Sequence, residues 1–314
     1  MSGLEPGTDS PPLIAVFGPT AIGKTGVCIE LADLLRERGE DPVAINCDSI
    51  QVYEGLEVIS GAATADDRDR LEHRLLSFVP ISEEFSAGRF GDAAHREIDS
   101  ALESGRRPIL VGGTGLYLRA ALTELEMRPP VDQNLRSEVE AEVERRGPNA
   151  LHAELPDDLS ERVHPNDRKR IARLTELIRS GVDPHPDHRG GGELWTASLR
   201  RPALLIGLVE DDEPLVKKIR VRVEAMAVAG AADEAERAEA AGAARTVRAA
   251  IGFDEFRRGD LERVVILHRR YGRRQMTWMR RMEGIEVIDR TGLSDAEVAS
   301  IILDLAEQIP SRVA

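Results

Sequence analysis

Eight residues, Gly18-Pro19-Thr20-Ala21-Ile22-Gly23-Lys24-Thr25, constrain this chain more than any other stretch. They follow the apolar run Leu13 to Phe17 and precede Gly26 to Leu35, whose apolar residues recur every three or four positions. This is G-x-x-x-x-G-K-T between a buried strand and an opening helix, the setting in which the pattern has physical meaning. The glycines let the backbone curl so that successive N–H groups converge, and the helix N-terminus adds free N–H groups and a partial positive charge. Lys24 supplies a point charge and Thr25 a hydroxyl suited to a magnesium ion. The stretch predicts a cradle for two linked phosphates rather than a glycine turn that binds nothing. Only Lys24, Lys169, Lys217 and Lys218 are lysines, every other cationic side chain being arginine apart from the histidines, and one of the four stands where the loop needs it.

Further apolar runs repeat the arrangement. Pro42 to Cys47 reads as a strand that delivers Asp48-Ser49-Ile50-Gln51-Val52-Tyr53, and Pro108 to Val111 as one that delivers Gly112-Gly113-Thr114-Gly115-Leu116-Tyr117. Ligands in open α/β sheets lie beyond the carboxyl ends of strands, which places Asp48 and Thr114 in one crevice with Lys24. A helix over Gly91 to Ser104 and later strands at Leu204 to Leu208 and Ile285 to Asp289 complete the alternation. The expected fold is α/β, a P-loop NTPase-like parallel sheet flanked by helices. Residues 123–202 show charged helical stretches, Gln133 to Arg146 and Asp167 to Arg179, and no strand pattern. They read as a helical insertion domain within a core of 13–122 and 203–314, after a polar, disordered 1–12. The Ala-rich stretch Ala225 to Arg248 reads as a solvated helix pair.

Length and charge set further bounds. With 314 residues the chain can bury a large core, and with Cys28 and Cys47 alone it has no disulfide framework. No stretch reads as a secretory signal or is apolar enough to span a membrane, so a reduced, cytoplasmic protein is expected. The net charge of −14 argues against sequence-blind nucleic-acid binding. Two basic clusters stand against it nonetheless. One comprises Arg162, His164, Arg168, Lys169, Arg170, Arg173 and Arg179. The other comprises Arg257, Arg258, Arg263, Arg269, Arg270, Arg273, Arg274, Arg280 and Arg281, with Tyr271 and Trp278 interleaved. Each alone could be a solvated face; flanking a phosphate crevice, they suit an RNA-sized polyanion.

Five segments together resemble the tRNA dimethylallyltransferase (isopentenyltransferase) family in its bacterial form. They are Gly18 to Thr25, Asp48-Ser49-x-Gln51-Val52-Tyr53, Gly112 to Tyr117, His164-Pro165-Asn166-Asp167-x-x-Arg170-x-x-Arg173, and Arg273-Arg274-Gln275-Met276-Thr277-Trp278-Met279-Arg280. The resemblance implies transfer of a dimethylallyl group from dimethylallyl diphosphate to N6 of an adenosine beside the anticodon of tRNA, with Mg²⁺ as cofactor. Gly18 to Thr25 would then hold the diphosphate, with Lys218 and Arg222 beside it. Asp48 would be the general base, Lys24 and Thr114 would act at the bond that breaks, and Thr25 would hold the metal, with Asp48 as a further ligand. Asp48, Ser49, Ile50, Gln51, Thr114, Arg136, Lys169, Arg170, Arg173, Arg273, Arg274, Gln275 and Arg280 would contact the tRNA anticodon stem-loop. A monomer contains every part this needs.

Bland readings stay open beside these. Asp48 could be only a metal ligand, Thr114 a helix cap and Gln51 a turn residue, while His185 and His188 fit a solvated loop better than a metal site. The chain departs from the family pattern at Ile59-Ser60-Gly61-Ala62, where a lysine is lost. It departs again at Lys218, which replaces an arginine, at Gly252-Phe253-Asp254, which replaces a base by an acid, and at Gly88-Arg89-Phe90. The competing readings are a P-loop small-molecule or nucleotide kinase, a relative that prenylates free adenine nucleotides, and an RNA-binding relative with impaired catalysis.

Overall fold

Strand residues that are apolar on both faces need cover on both faces, and the chain supplies it. The computed structural model describes residues 11–125, 131–184 and 198–308; the expected disordered segment up to residue 10 and His185 and His188 lie outside them. Strands β1 (Leu13–Phe17), β2 (Pro42–Asn46), β3 (His73–Arg74), β4 (Arg107–Gly112), β5 (Ala203–Val209) and β6 (Ile285–Asp289) form one sheet. Its order is β3-β2-β4-β1-β5-β6 and every pairing is parallel. β1 is central, with Ala15 opposite Leu110 on one side and Leu205 on the other.

Alternation along β1 sends its side chains into two separate layers. Leu13, Ala15 and Phe17 pack with Phe90, Tyr117 and Val264. Ile14 and Val16 pack with Val27, Leu31 and Leu35 of the helix Lys24–Glu37 and with Val298 and Ile302 of the helix Asp295–Gln308. A fully buried side chain of this size stabilises by roughly 1.5–3 kcal/mol, so the two layers hold the sheet rigid beneath the loops at its carboxyl edge. Those loops are Gly18 after β1, Cys47-Asp48 after β2 and Gly113-Thr114 after β4. The last two touch, since a Cβ at Gly112 would lie 2.3 Å from the Cys47 carbonyl oxygen, so only glycine fits there.

The chain divides into two compact units, Met1–Leu125 with Glu193–Ala314, and Glu126–Gly192. The second has a small core of its own, Val139, Val143, Leu151, Val163, Ile171 and Ala172. These residues come from and around the helices Gln133–Arg146, Pro148–His152 and Arg168–Arg179. Asp132 and Asp167 cap two of these helices through their side chains. The insertion expected over 123–202, from its helical stretches and lack of a strand pattern, is wider than this unit: Arg200 and Arg201 are held by Asp99 of the first unit.

Two readings of the sequence are corrected. The stretch between β2 and β4, which reads in the sequence as a loop over Ser60 to Arg70, contains the edge strand β3 and the short helices Glu57–Ser60 and Ala65–Arg70, too brief to show a period. The Ala-rich stretch is solvated on one face only, and its other face is packed. Ala231, Ala235 and Ala238 are buried, and Glu234, only 3% exposed, accepts the Val58 and Ile59 N–H groups at 2.9 and 2.6 Å. Its alanines permit close packing, and its buried acid caps a neighbouring helix.

Candidate active site

The loop between β1 and the helix Lys24–Glu37 forms an anion cradle. Ala21 and Gly23 take the left-handed conformation, with φ of 64° and 92°. The helix has no side-chain cap, and the N–H groups of Gly23, Lys24, Thr25 and Gly26 find no acceptor among the described residues. Unpaired N–H groups converging at a helix start bind an oxyanion. The half-buried Lys24 folds over the loop and donates to the Gly18 and Pro19 carbonyls, both at 3.0 Å. Burial pushes its ammonium down to about 8, the Arg222 cation acts in the same direction, and the Asp48 carboxylate partly offsets both. Thus Lys24, Asp48 and Arg222 share one crevice.

Asp48 is built for one open oxygen. Its Oδ1 accepts the Ile50 N–H at 2.9 Å and the Gln51 N–H at 3.4 Å, while Oδ2 has no hydrogen-bond partner among the described residues. The backbone N–H of Asp48 donates to Asn46 Oδ1 at 3.2 Å, and Asn46 itself is buried and tied to the Leu75 carbonyl. Thr114 occupies the N-cap position of the helix Gly115–Leu122 but makes no cap bond. Its Oγ1 instead accepts the Ser49 N–H at 3.1 Å and lies 3.2 Å from the Ser49 hydroxyl and 3.4 Å from that of Tyr271. The turns after β2 and β4 are therefore joined through one hydroxyl.

The helix Leu261–Met279 closes the other side. Gln275, expected to meet RNA, is 3% exposed and its amide accepts the Thr20 N–H at 3.0 Å while donating to the Gly113 carbonyl at 2.8 Å. It bridges the cradle to the Thr114 turn. One turn earlier Tyr271 donates to the same Gly113 carbonyl at 3.3 Å, and burial together with nearby Asp48 raises its phenol above the ordinary range. A turn further back is His268, which the sequence does not single out because a lone histidine on a helix carries no pattern. It is 7% exposed, neither ring nitrogen has a partner among the described residues, and burial with the nearby Arg222 cation pushes it down to about 4.

Arg222 donates to the Ser60 and Gly61 carbonyls at 3.2 and 3.1 Å, and the Gln51 amide donates to the same two at 3.4 and 3.2 Å. Gly61, with φ of 58°, is required here, since a Cβ would lie 1.9 Å from an Arg222 nitrogen. The Arg222 Nε is buried without a partner, and burial lowers the affinity of this guanidinium for its proton. Arg222 and His268 thus bring unsatisfied polar nitrogens to the crevice. Lys218 is different: its ammonium is paired at 2.6 Å with Glu210, whose side chain is 4% exposed. The remaining departures are accommodated locally. Asp254 pairs with Arg257 and Arg258, and Arg89 stacks 4.9 Å from the Phe85 ring centroid.

The basic clusters differ in how much charge is free. On the helix Leu261–Met279 and just after it, Arg263, Arg270, Arg273, Arg274 and Arg280 are exposed and have no acidic partner among the described residues. Arg274 lies over the Tyr271 ring, and Trp278 packs against Gly115, leaving it less of a free stacking platform than its spacing suggests. In the Glu126–Gly192 unit most cations are internally paired: Arg136 with Glu140, Arg168 with Glu144, Arg170 with Asp167, Arg173 with Glu176 and Arg179 with Glu142. Lys169 and Arg162 are exposed and have no acidic partner among the described residues.

A parallel sheet whose carboxyl edge brings together unpaired helix-start N–H groups, an open carboxylate and a bridging hydroxyl defines an α/β protein of P-loop-like fold. A sequence profile described as IPP transferase matches residues 51–282, and the chain belongs to that family. It is 38% identical over 290 residues to a tRNA dimethylallyltransferase of Anaeromyxobacter dehalogenans, covering 87% of this chain and 91% of that one. A tRNA dimethylallyltransferase of Thermobifida fusca is 35% identical over 287 residues, covering 86% and 87%. The fold is similar to the crystal structure of a tRNA isopentenylpyrophosphate transferase from Bacillus halodurans, with TM-score 0.67, 30% identity and coverage of 94% and 96%. A eukaryotic dimethylallyltransferase acting on tRNA shares the fold at TM-score 0.73, 24% identity and coverage of 96% and 81%.

Proposed function

We propose that this protein is a tRNA prenyltransferase that moves a dimethylallyl group from dimethylallyl diphosphate to N6 of an adenosine beside the anticodon, releasing diphosphate. The observation that carries the reading is the convergence of the unpaired N–H groups of the cradle, Lys24 and the open Oδ2 of Asp48 in one crevice. As the allylic C–O bond breaks, its electrons pass to the diphosphate, and the cradle and Lys24 hold the charge that grows there. The exocyclic adenine nitrogen is a poor nucleophile because its lone pair is delocalised into the ring. Asp48 Oδ2 accepts its proton as the new C–N bond forms, a general-base contribution of roughly 10²–10⁴-fold. The Asx-type turn through Oδ1 fixes the direction in which Oδ2 points.

The residues fit a magnesium ion bound jointly with the diphosphate. Thr25 offers a hydroxyl, Asp48 one free oxygen, and such ions take one or two carboxylates plus phosphate oxygens. A bound ion would supply further charge neutralisation at the departing diphosphate. The unpartnered nitrogens of Arg222 and His268 support a further role in holding the same group. The exposed arginines from Arg263 to Arg280 suit the backbone of a stem-loop, and recognition of a splayed base matches RNA binding in general. No helix among the described residues is long and apolar enough to cross a membrane. Action on tRNA suits a cytoplasmic protein, and a single chain carrying every residue the reaction needs suits a monomer.

Labelled dimethylallyl diphosphate should pass its label to tRNA and not to AMP, and Asp48→Ala should abolish transfer. Equal labelling of AMP would favour a nucleotide prenyltransferase. Stabilisation by ATP but not by dimethylallyl diphosphate would favour a kinase.

A further inference from the structure

The P-loop glycine Gly23 has a neighbour that its motif does not explain. Arg290, at the end of β6, is 5% exposed, and its Nη1 donates to the Ile22 carbonyl at 2.5 Å. Its Nη2 donates to the Leu293 carbonyl at 3.2 Å and to Asp295 Oδ1 at 2.8 Å. Two glycines make room for this pair. A Cβ at Gly23 would lie 2.4 Å from Arg290 Nη1, and one at Gly26 would lie 2.0 Å from Asp295 Oδ2. The base of the guanidinium is fixed as well, because the Arg290 N–H donates to the Val209 carbonyl at 2.9 Å. Both residues lie beyond the stretch matched by the family profile, which ends at 282.

The Ile22–Gly23 peptide is trans and planar, so its C=O and its N–H point in opposite directions. Whatever holds the Ile22 carbonyl against Arg290 aims the Gly23 N–H the opposite way, and the Gly23, Lys24 and Thr25 N–H groups all lack acceptors among the described residues. A charged donor gripping that carbonyl is the strongest such hold available to a protein. We propose that Arg290, oriented by Asp295, is the positioning residue of the anion cradle, setting the peptide that presents the Gly23 N–H to the diphosphate of the donor. This rests on the cradle being the diphosphate site, and it assigns to Arg290 no contact with the substrate.

The test measures binding of inorganic pyrophosphate by calorimetry, the KM for dimethylallyl diphosphate, kcat, and tRNA affinity for the wild type and for Arg290→Ala, Arg290→Lys and Asp295→Asn. Arg290→Ala should weaken pyrophosphate binding and raise the donor KM by about tenfold or more, the scale of one hydrogen bond to a charged group. tRNA affinity should stay within about twofold, because the clamp lies beneath the cradle and the arginine face is untouched. Arg290→Lys should recover part of the loss, since one ammonium can hold the Ile22 carbonyl but not Leu293 and Asp295 with it. Added methylguanidinium should restore Arg290→Ala by refilling the vacated space, a rescue that general destabilisation would not show. An unchanged donor KM in folded Arg290→Ala would overturn the inference, as would parallel loss of donor and tRNA binding without rescue in all three variants. A wild type that does not bind pyrophosphate would remove the cradle reading itself, and the inference with it.

Discussion

Replacing Lys24 by methionine should make the empty protein more stable while destroying its grip on diphosphate. Burial first, and the Arg222 cation second, lower the Lys24 ammonium from 10.5 to about 8. At 1.36 kcal/mol per pH unit this corresponds to about 3 kcal/mol of unfavourable charge burial. The bonds from Lys24 to Gly18 and Pro19 offset about 1 kcal/mol each when they are lost, leaving a net gain of about 1–2 kcal/mol near neutral pH. The sign follows from proton linkage. Between about 8 and 10.5 the unfolded chain binds the proton and the folded chain does not, so wild-type stability rises with pH through that window. Below it both states are charged and the full penalty stands. Urea unfolding of both proteins without ligand, at pH values spanning the window, measures the difference. Lys24→Met should lead near neutral pH and lose its lead as the pH rises, and pyrophosphate should stabilise the wild type only. A variant less stable than wild type at neutral pH, or a pH-independent gap, would refute the argument.

The same lysine makes donor binding pH-dependent: above about 8 diphosphate binding must take up a proton, so affinity should fall with rising pH, and calorimetry in buffers of differing ionisation enthalpy should show the uptake. Gln275→Leu removes both bridging bonds and strands the Thr20 N–H and the Gly113 carbonyl, which should cost roughly 2–4 kcal/mol by chemical denaturation and raise the donor KM. Thr114→Val unties Ser49 from the β4 turn and should lower kcat by about 10-fold or more while costing only about 1 kcal/mol of stability. Arg273→Ala and Arg280→Ala should each weaken tRNA binding and reduce the slope of log affinity against log salt by nearly one, read by filter binding across salt concentrations, with the donor KM unchanged.

Much of the sheet is visible in the sequence because a parallel strand buried on both faces is an unbroken apolar run. Leu13–Phe17 emerges with its bounds and β2, β4 and β5 within a residue, while Ile285–Asp289, largely exposed at the sheet edge, shows instead as a short β-branched run. β3 is too short for any period, and the Ala-rich stretch misleads because small side chains and charges look alike whether a helix is solvated or packed against another. At the site, contiguous motifs are legible: Gly18 to Thr25, Asp48 to Gln51, Gly112 to Thr114. What they become is settled by long-range contacts. Gln275 reads as part of a basic RNA-facing motif, yet its buried amide joins two loops some 160 and 255 positions away in the chain. Arg222 is marked by the family resemblance, whereas His268 and Arg290 gain meaning only from what the fold sets beside them. Lys218 carries the expected charge, but Glu210 already neutralises it.

The most direct measurement is mass spectrometry of the nucleosides released from unmodified tRNA after incubation with the protein, dimethylallyl diphosphate and magnesium. The account predicts one new adenosine derivative, heavier by a single C5H8 unit, from the site beside the anticodon with wild type and none with Asp48→Ala. An unchanged nucleoside profile from folded wild-type protein, or the same product in undiminished yield from Asp48→Ala, would contradict it.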